Sequence, residues 1–350
     1  VNVGQPISTS EAAIWCPVHA SVSGTVKAIE LISDAGRAAP VEAVVIENDF
    51  ADTPDPGMTQ PKPVDELSGD EIVELVRRAG VVGLGGAVFP TYAKIKSSTG
   101  KAKTLLVNCA ECEPYITADH RTMLEHPDEV LGGVRLLLRA MGCERAILAV
   151  EDNKKDAAEL LRAGLRPGEP VEVRLLKTKY PQGDKSMIIY SLTRIEPTHG
   201  VRLSDIGFAI FNVSSCAAVW RACRYGTALT ERTVTIDGDC IAKPQNVIVP
   251  IGTPVRDVID FCGGLVRQPL KVVNGGPMMG AAQWNLDGVI TKGTSALLFL
   301  SGEEEHKSSL PPVCIRCGRC VKNCPMHLMP NYLVKLAQEK KYSECEKYNI

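Results

Sequence analysis

The chain has 350 residues, 45% hydrophobic and 23% charged, with a formal net charge of −2. That length exceeds one ordinary core and predicts two to four domains of average soluble composition. The charge and the absence of a basic–aromatic pattern predict no nucleic-acid partner, and neither an apolar run of about 18 residues nor a secretory leader is visible.

Residues 1–50 alternate apolar positions around glycine turns, as at Val22, Val26 and Ile29 and again at Val41, Val44 and Ile46. This predicts a compact β unit. Its first residues read like the middle of such a unit, without an initiator Met, and the far end stops in a charged, helical-looking stretch. The chain is therefore expected to be a fragment of a longer subunit. A Pro-rich boundary follows at 52–57, and Ser68 with Glu71 matches a capping box before the periodic Ile72, Leu75 and Val76. From Thr104 the pattern alternates: strand 104–108, helix 127–141, strand 145–150, helix 154–164, strand 170–176. Such alternation predicts a parallel α/β sheet. Residues 233–301 change character, with strands at 234–236 and 246–249, a short helix at 254–262 and a strand and turn at 272–277. They read as a small α+β module joined by a charged linker, 301–312, to a cysteine-rich end.

Thirteen cysteines in a large, core-forming chain fit a reducing cytoplasm better than a disulfide framework. Four form the run Cys314-x2-Cys317-x2-Cys320-x3-Cys324-Pro325, the spacing of a [4Fe–4S] site. Zinc ribbons instead pair two distant C-x2-C units. From Cys314 to the end, seven Lys/Arg stand against three Glu. That excess suits an anionic cluster or an acidic partner, and equally a solvated helix face.

Two loops precede this run. Gly83-Leu84-Gly85-Gly86-Ala87-Val88-Phe89-Pro90-Thr91 lets backbone N–H groups approach a phosphate, although it lacks the G-x-G-x-x-G spacing and reads equally as a tight structural turn. Asn108, Glu111 and Glu113 follow a predicted strand, where open α/β sheets place ligands. Asn108 can donate and accept toward a ring edge or ribityl chain, and the carboxylates suit ribose hydroxyls. A solvated acidic loop is the plainer reading. Cys109 and Cys112 form a C-x2-C without a second pair, conceivable as a metal pair or redox disulfide. The six histidines show no zinc-type spacing.

The glycine loop, acidic loop and cysteine run occur in an order that resembles a known family. Gly85-Gly86-Ala87-Val88-Phe89-Pro90-Thr91 is similar to the G-G-A-G-F-P-T flavin loop of the NADH-oxidising subunit of respiratory complex I. Asn108-x-x-Glu111-x-Glu113-Pro114 resembles its N-x-D-E-x-E-P segment, and Phe211-Asn212-Val213 its N-N-V. The stretches 110–117, 180–183 and 275–280 resemble variants found in the C subunits of Rnf-type ferredoxin:NAD oxidoreductases, and the likeness runs over essentially the whole chain.

The resemblance implies an α/β multidomain protein of four parts. These are a barrel-sandwich β unit (1–55), a Rossmann-like FMN/NADH-binding α/β domain (60–230), a β-grasp module (231–301) and a truncated helical ferredoxin-like domain (306–350). It implies that Gly83, Gly85, Gly86, Lys94, Asn108, Glu111 and Asn212 hold FMN, that Phe89 and Glu113 meet the nicotinamide and ribose of NAD(H), and that Cys314, Cys317, Cys320 and Cys324 bind iron–sulfur. In two-cluster ferredoxins the fourth cysteine crosses to the other cluster. A second run is therefore expected beyond Ile350, and this sequence alone should hold little iron. The implied activity is exchange of hydride between NAD(H) and FMN and of single electrons with the clusters. The implied setting is the cytoplasmic face of the cell membrane, as a peripheral subunit of an ion-translocating complex beside membrane subunits and a ferredoxin-type iron–sulfur subunit. A soluble corrin reductase of the same family and a non-enzymatic electron relay or scaffold are the alternatives. Val88 in place of a glycine, a missing Arg-Gly before Gly85, Ala110 in place of Asp and Gly183-Asp184-Lys185 in place of G-E-E are the departures.

Overall fold

An antiparallel ribbon of β1 (Gly24–Ile32) and β2 (Val41–Asn48) pairs from Gly24↔Asn48 to Ile32↔Val41, with a bulge between Val26 and Ala28. Bridges between Val3 and Pro54 and between Pro6 and His19 gather the flanking segments around it, in keeping with the β unit expected there. The computed structural model describes residues 1–32, 40–57, 62–197, 200–302, 313–324 and 326–348. The described chain forms two compact units, Val1–Ser301 and Gly302–Ile350. Most of the charged linker (303–312), Pro325 and Ile350 lie outside the described residues.

Helix α1 (Gly69–Arg78) begins at the expected reciprocal cap: Glu71 N–H donates to Ser68 Oγ at 3.3 Å and Ser68 N–H to Glu71 Oε2 at 2.8 Å. After the glycine loop come α2 (Thr91–Ser98), β3 (Thr104–Cys109), α3 (Ala118–Glu125), α4 (Pro127–Met141), β4 (Arg145–Glu151), α5 (Lys155–Ala163) and β5 (Val171–Leu176). Then follow α6 (Lys185–Thr193), β6 (Phe208–Asn212) and α7 (Val213–Tyr225). The four strands form one parallel sheet in the order β5-β4-β3-β6. Alternate side chains of β3 enter different cores. Leu105 and Val107 join the large one under α1, α4 and α7, while Leu106 joins the smaller one with Ile188 and Ile189 of α6. A sheet covered on both faces needs apolar residues on both, which is why its central strands β3 and β4 read as near-continuous hydrophobic runs. Helices α4 and α7 cross closely: a Cβ at Gly133 would lie 1.8 Å from the Cys216 carbonyl oxygen, so only glycine fits.

A second sheet comprises β7 (Glu231–Asp237), β8 (Gln245–Pro250), β9 (Lys271–Asn274), β10 (Ala281–Gln283) and β11 (Ala296–Leu300), in the order β10-β9-β11-β7-β8. Helix α8 (Val255–Phe261) packs on it through Val255, Val258 and Ile259. Strand β11 pairs parallel to β7 and antiparallel to β9. On the far face, Val273, Ala296 and Leu298 pack against Ile116 and Ala118, which follow the acidic loop. The second sheet thus supports the loop that leaves β3.

In the unit Gly302–Ile350, α9 (Arg319–Asn323) and α10 (Pro330–Gln338) precede a 3-10 turn, Tyr342–Tyr348. Tyr332 stacks on Tyr348 with ring centroids 5.1 Å apart, and Cys345 is buried beneath.

Candidate functional site

The winding β3, β4, β5 runs to one side of the first sheet and β6 lies on the other, so the strand order reverses between β3 and β6. Open α/β sheets bind ligands outside the carboxyl ends of strands at such a reversal. Here those ends carry Asn108 and Asn212, which are register partners across the two strands. Asn108 Nδ2 donates to Gly183 O at 2.9 Å, and its Oδ1 accepts from Ala110 N at 3.0 Å. Asn212 caps α7, its Oδ1 accepting from Ser215 N at 3.2 Å, and its Nδ2 donates to Asp119 Oδ2 at 2.6 Å.

The glycine loop lies against this pair. It is closed by Gly83 N–H to Phe89 O at 2.8 Å and Val88 N–H to Gly83 O at 3.1 Å. Leu84 N–H donates to Ser215 Oγ at 2.8 Å, and Leu84 O accepts from Arg232 Nη2 at 2.6 Å. Gly85 sits so near Asn212 that a Cβ would meet its side chain at 3.2 Å. Gly86, at φ +106°, has open space above its Cα. The N–H groups of Gly85, Gly86 and Ala87 donate to nothing among the described residues. Val88, which stands in place of a glycine, adopts φ +51° and leans on Gly293, whose Cβ would be 2.9 Å from Val88 Cγ2. Phe89 beside it is 45% exposed. Lys94 on α2 sets its ammonium 4.8 Å from the Phe211 ring centre, with no carboxylate in reach among the described residues, and burial lowers its pKa.

The acidic loop divides its two carboxylates between different elements. Glu111 accepts from Asp119 N at 2.8 Å and His120 N at 3.1 Å, capping α3. Burial, reinforced by the Asp119 charge, raises its pKa to about 8. Asp119 is itself raised by burial, against the lowering effect of its bonds from Ser214 and Asn212. Lys154 supports the loop from below, donating to Glu111 O at 3.2 Å and to Glu151 Oε2 at 3.1 Å. Glu113 turns the other way, toward the second sheet. Its Oε2 accepts from Met278 N at 3.0 Å, while its buried Oε1 has no partner among the described residues. Asp184, in the stretch that departs from G-E-E, caps α6 through Ser186 N at 2.8 Å.

Asp119, Ser215 and Arg232 are the site residues that motif reasoning missed. Only Asp119 carried a signal, as an acid in the first turn of a helix. The two cysteines of the acidic loop remain thiols: Cys109 is buried, and Cys112 Sγ accepts from Gly183 N at 3.3 Å. Burial raises the pKa of both.

The cysteine run is arranged differently. Cys314, Cys317 and Cys320 are exposed, and Cys324 is half-buried with its Sγ accepting from Leu328 N at 3.4 Å. Among the described residues no three His, Cys, Asp or Glu side chains are gathered for a metal ion. Thiolate sites are drawn together by the metal they bind, whose binding energy is folding energy.

For FMN the fit is good. Unclaimed N–H groups over a positive-φ glycine suit a phosphate or ring edge. A half-buried ammonium without a counter-charge and an Asn pair at the sheet reversal complete the site.

Comparison with known proteins gives the domains and the family. Residues 76–221 match the Nuo51 FMN-binding domain, 233–282 an SLBB domain and 1–51 the RnfC barrel sandwich hybrid domain. An NAD+-reducing [NiFe]-hydrogenase in its H2-reduced state shares the fold at a TM-score of 0.55 and 22% identity, over 68% of this chain and 47% of that one. The chain is 39% identical to the C subunit of the Na(+)-translocating ferredoxin:NAD(+) oxidoreductase complex of Acetobacterium woodii, over 100% of its own length and 79% of that protein. It is 42% identical to the corresponding C subunit of the proton-translocating complex of Clostridium ljungdahlii, over 100% of this chain and 76% of the relative. Likeness of that degree and extent, carried through all three matched domains, means that the chain belongs to the RnfC family, the C subunits of the Rnf-type, ion-translocating ferredoxin:NAD(+) oxidoreductases.

Proposed function

We propose that the chain holds one non-covalent FMN at the reversal between β3 and β6 and exchanges electrons between NAD(H) and iron–sulfur centres. The observation that carries this reading is the set of unclaimed N–H groups at Gly85, Gly86 and Ala87, in a loop packed on Asn212, the register partner of Asn108. Bound there, a flavin takes up two electrons together as hydride and releases them singly. The residues supply the rest. Gly83, Gly85 and Gly86 form a backbone cradle, and Lys94 offers positive charge. Asn108 and Asn212 orient the group by hydrogen bonds, while Glu111 stiffens the loop by capping α3. Phe89 presents an exposed aromatic face to a nicotinamide, and Glu113 is the acceptor for ribose hydroxyls.

Cys314, Cys317, Cys320 and Cys324 are the ligands of the iron–sulfur part, with the 306–350 region as a helical ferredoxin-like domain. The remaining parts in this reading are a barrel-sandwich unit at 1–55, the flavin domain at 60–230 and a β-grasp module at 231–301. Parallel pairing of β11 with β7 inside an otherwise antiparallel sheet, with one helix packed on it, supports the last of these. The relatives' names support a place in an ion-translocating ferredoxin:NAD(+) oxidoreductase complex; neighbouring membrane subunits, a ferredoxin-type subunit and the cytoplasmic face of the membrane complete the proposed setting. No helix among the described residues is long and apolar enough to cross a membrane, which agrees with a peripheral position. An absorbance spectrum with flavin, iron and sulfide assays on anaerobically prepared protein tests the whole reading. One FMN per chain with little cluster iron is the expected result, and a protein that takes up no FMN when titrated overturns it.

A further inference from the structure

We propose that Arg232, from the first strand of the second sheet, is a positioning residue of the flavin site: it orients the Leu84–Gly85 peptide so that the Gly85 N–H faces the flavin, and it sets a buried positive charge behind the glycine loop. The inference rests on the flavin reading above and extends the site to a sheet outside the flavin-binding domain.

Leu84–Gly85 is a trans peptide, in which the carbonyl of one residue and the N–H of the next point in opposite directions. Leu84 O points inward, onto Arg232 Nη2 at 2.6 Å. The Gly85 N–H therefore points outward, and it has no partner among the described residues. Ser215 Oγ holds the Leu84 N–H at 2.8 Å, so successive peptide units are fixed from α7 and from the second sheet. The guanidinium is also anchored through Nη1 to Lys292 O, and Lys292 reaches back to Pro17 O at 2.8 Å and Gly80 O at 2.7 Å.

Arg232 is only 7% exposed, and its Nε is buried without a partner. No carboxylate forms an ion pair with it among the described residues, and the acidic group that attracts it is Asp119, already engaged by Asn212 and Ser214. A cation placed in a poorly screened interior acts at longer range than one at the surface. Behind the loop, this one favours the more negative, reduced form of a flavin. A mere staple between sheets would share the hydrogen bonds but not that effect.

The test uses the FMN-loaded protein, reading FMN affinity by fluorescence quenching and the flavin midpoint potential by anaerobic titration. Arg232→Gln is expected to weaken FMN about tenfold, the worth of one hydrogen bond involving a charged group, and to move the potential to a more negative value. Arg232→Lys, which keeps the charge and loses the fork, is expected to weaken FMN while holding the potential near that of the parent. An unchanged affinity and potential in folded Arg232→Gln overturns the proposal, and a weaker affinity with an unmoved potential reduces Arg232 to a staple. If neither variant folds, hydrogen exchange on the parent decides. Gly85 N–H should exchange freely without FMN and become protected with it, while Leu84 N–H is protected in both; a Gly85 N–H that FMN does not protect refutes the placement. A parent that binds no FMN defeats the flavin reading itself, whereas FMN binding with an unresponsive Arg232→Gln defeats only this inference.

Discussion

The flavin end of Val1–Ser301 and the cysteine run of Gly302–Ile350 are both expected to carry redox groups, yet they are built by opposite means. At the flavin end the supporting polar groups are held by neighbours from other elements: Asn212 by Asp119, the Leu84 peptide by Ser215 and Arg232, Glu113 Oε2 by Met278. In the cysteine run three of the four thiols are exposed, and the described contacts engage Cys324 alone. An organic cofactor offers many weak contacts and needs them pre-arranged, because ordering each group on binding costs affinity. A metal cluster offers a few strong bonds and can gather its own ligands. One site is made by the fold; the other completes it.

The largest expected effect divides the two regions. Cys320→Ser should abolish nearly all the iron that anaerobic reconstitution with iron and sulfide gives the parent while leaving FMN per chain unchanged, as read by paired iron and flavin assays. Simultaneous loss of FMN would show that the two regions do not assemble independently. The reciprocal change is Gly86→Leu. At φ +106° an L side chain is strained and would crowd the open side of the loop. FMN affinity should fall at least about a hundredfold, the scale of two lost charge-assisted hydrogen bonds, with iron retained; a titration giving the parent affinity would remove the phosphate or ring from this loop.

Glu113→Ala should separate nucleotide from flavin within the first region. The NADH Michaelis constant is expected to rise about ten- to a hundredfold, the worth of a hydrogen bond to a charged group, at unchanged FMN content. Loss of FMN with a normal Michaelis constant would reverse the assignment. The smallest effect concerns pH. Glu111 has a pKa of about 8 in the folded protein against 4.5 for a free side chain, so the native state binds more protons than the unfolded state between these values. Stability should therefore fall as pH rises from about 4.5 to 8, and Asp119, also raised, acts in the same direction. Glu111→Gln should flatten that decline in thermal melts at pH 5 and pH 8; an equal decline in both proteins would mean that other groups govern it.

Local chemistry makes much of the fold legible. Helix α4 is expected at its observed limits because Pro127 occupies its first turn and Gly142 its left-handed end. The capping box at Ser68 and the apolar runs of β3 and β4 carry equally direct signals. Strand β6 passes straight into α7 with no intervening loop, and the N-capping Asn212 is the one local mark of the change of element. The reversal of strand order is a property of the whole sheet, and the pairing of Asn108 with Asn212 cannot be read from either segment alone. Arg232 escapes notice for a related reason. Within a strand a lone charge reads as solvent-facing, and only the approach of the glycine loop gives it a buried partner. Its neighbours Val234 and Ile236 reveal the inward face, yet the loop above that face comes from nearly 150 positions earlier, at a separation of 148.

The clasp between Glu113 and the 275–280 turn bears on how this protein can be recombined. Met278 N–H reaches Glu113 across 165 positions, and a Cβ at Gly276 would fall 2.2 Å from Glu113 Oε2 and 2.7 Å from its Cβ. A chimera joined at the bend before β7 would place an acidic loop from one parent beneath a turn shaped by another, and would hand the glycine loop a foreign Arg232. Productive crossovers belong instead after Ser301, where the first unit ends. In a library of grafted relatives, junctions near 230 should survive only when the acidic loop, the glycine loop and the turn travel together.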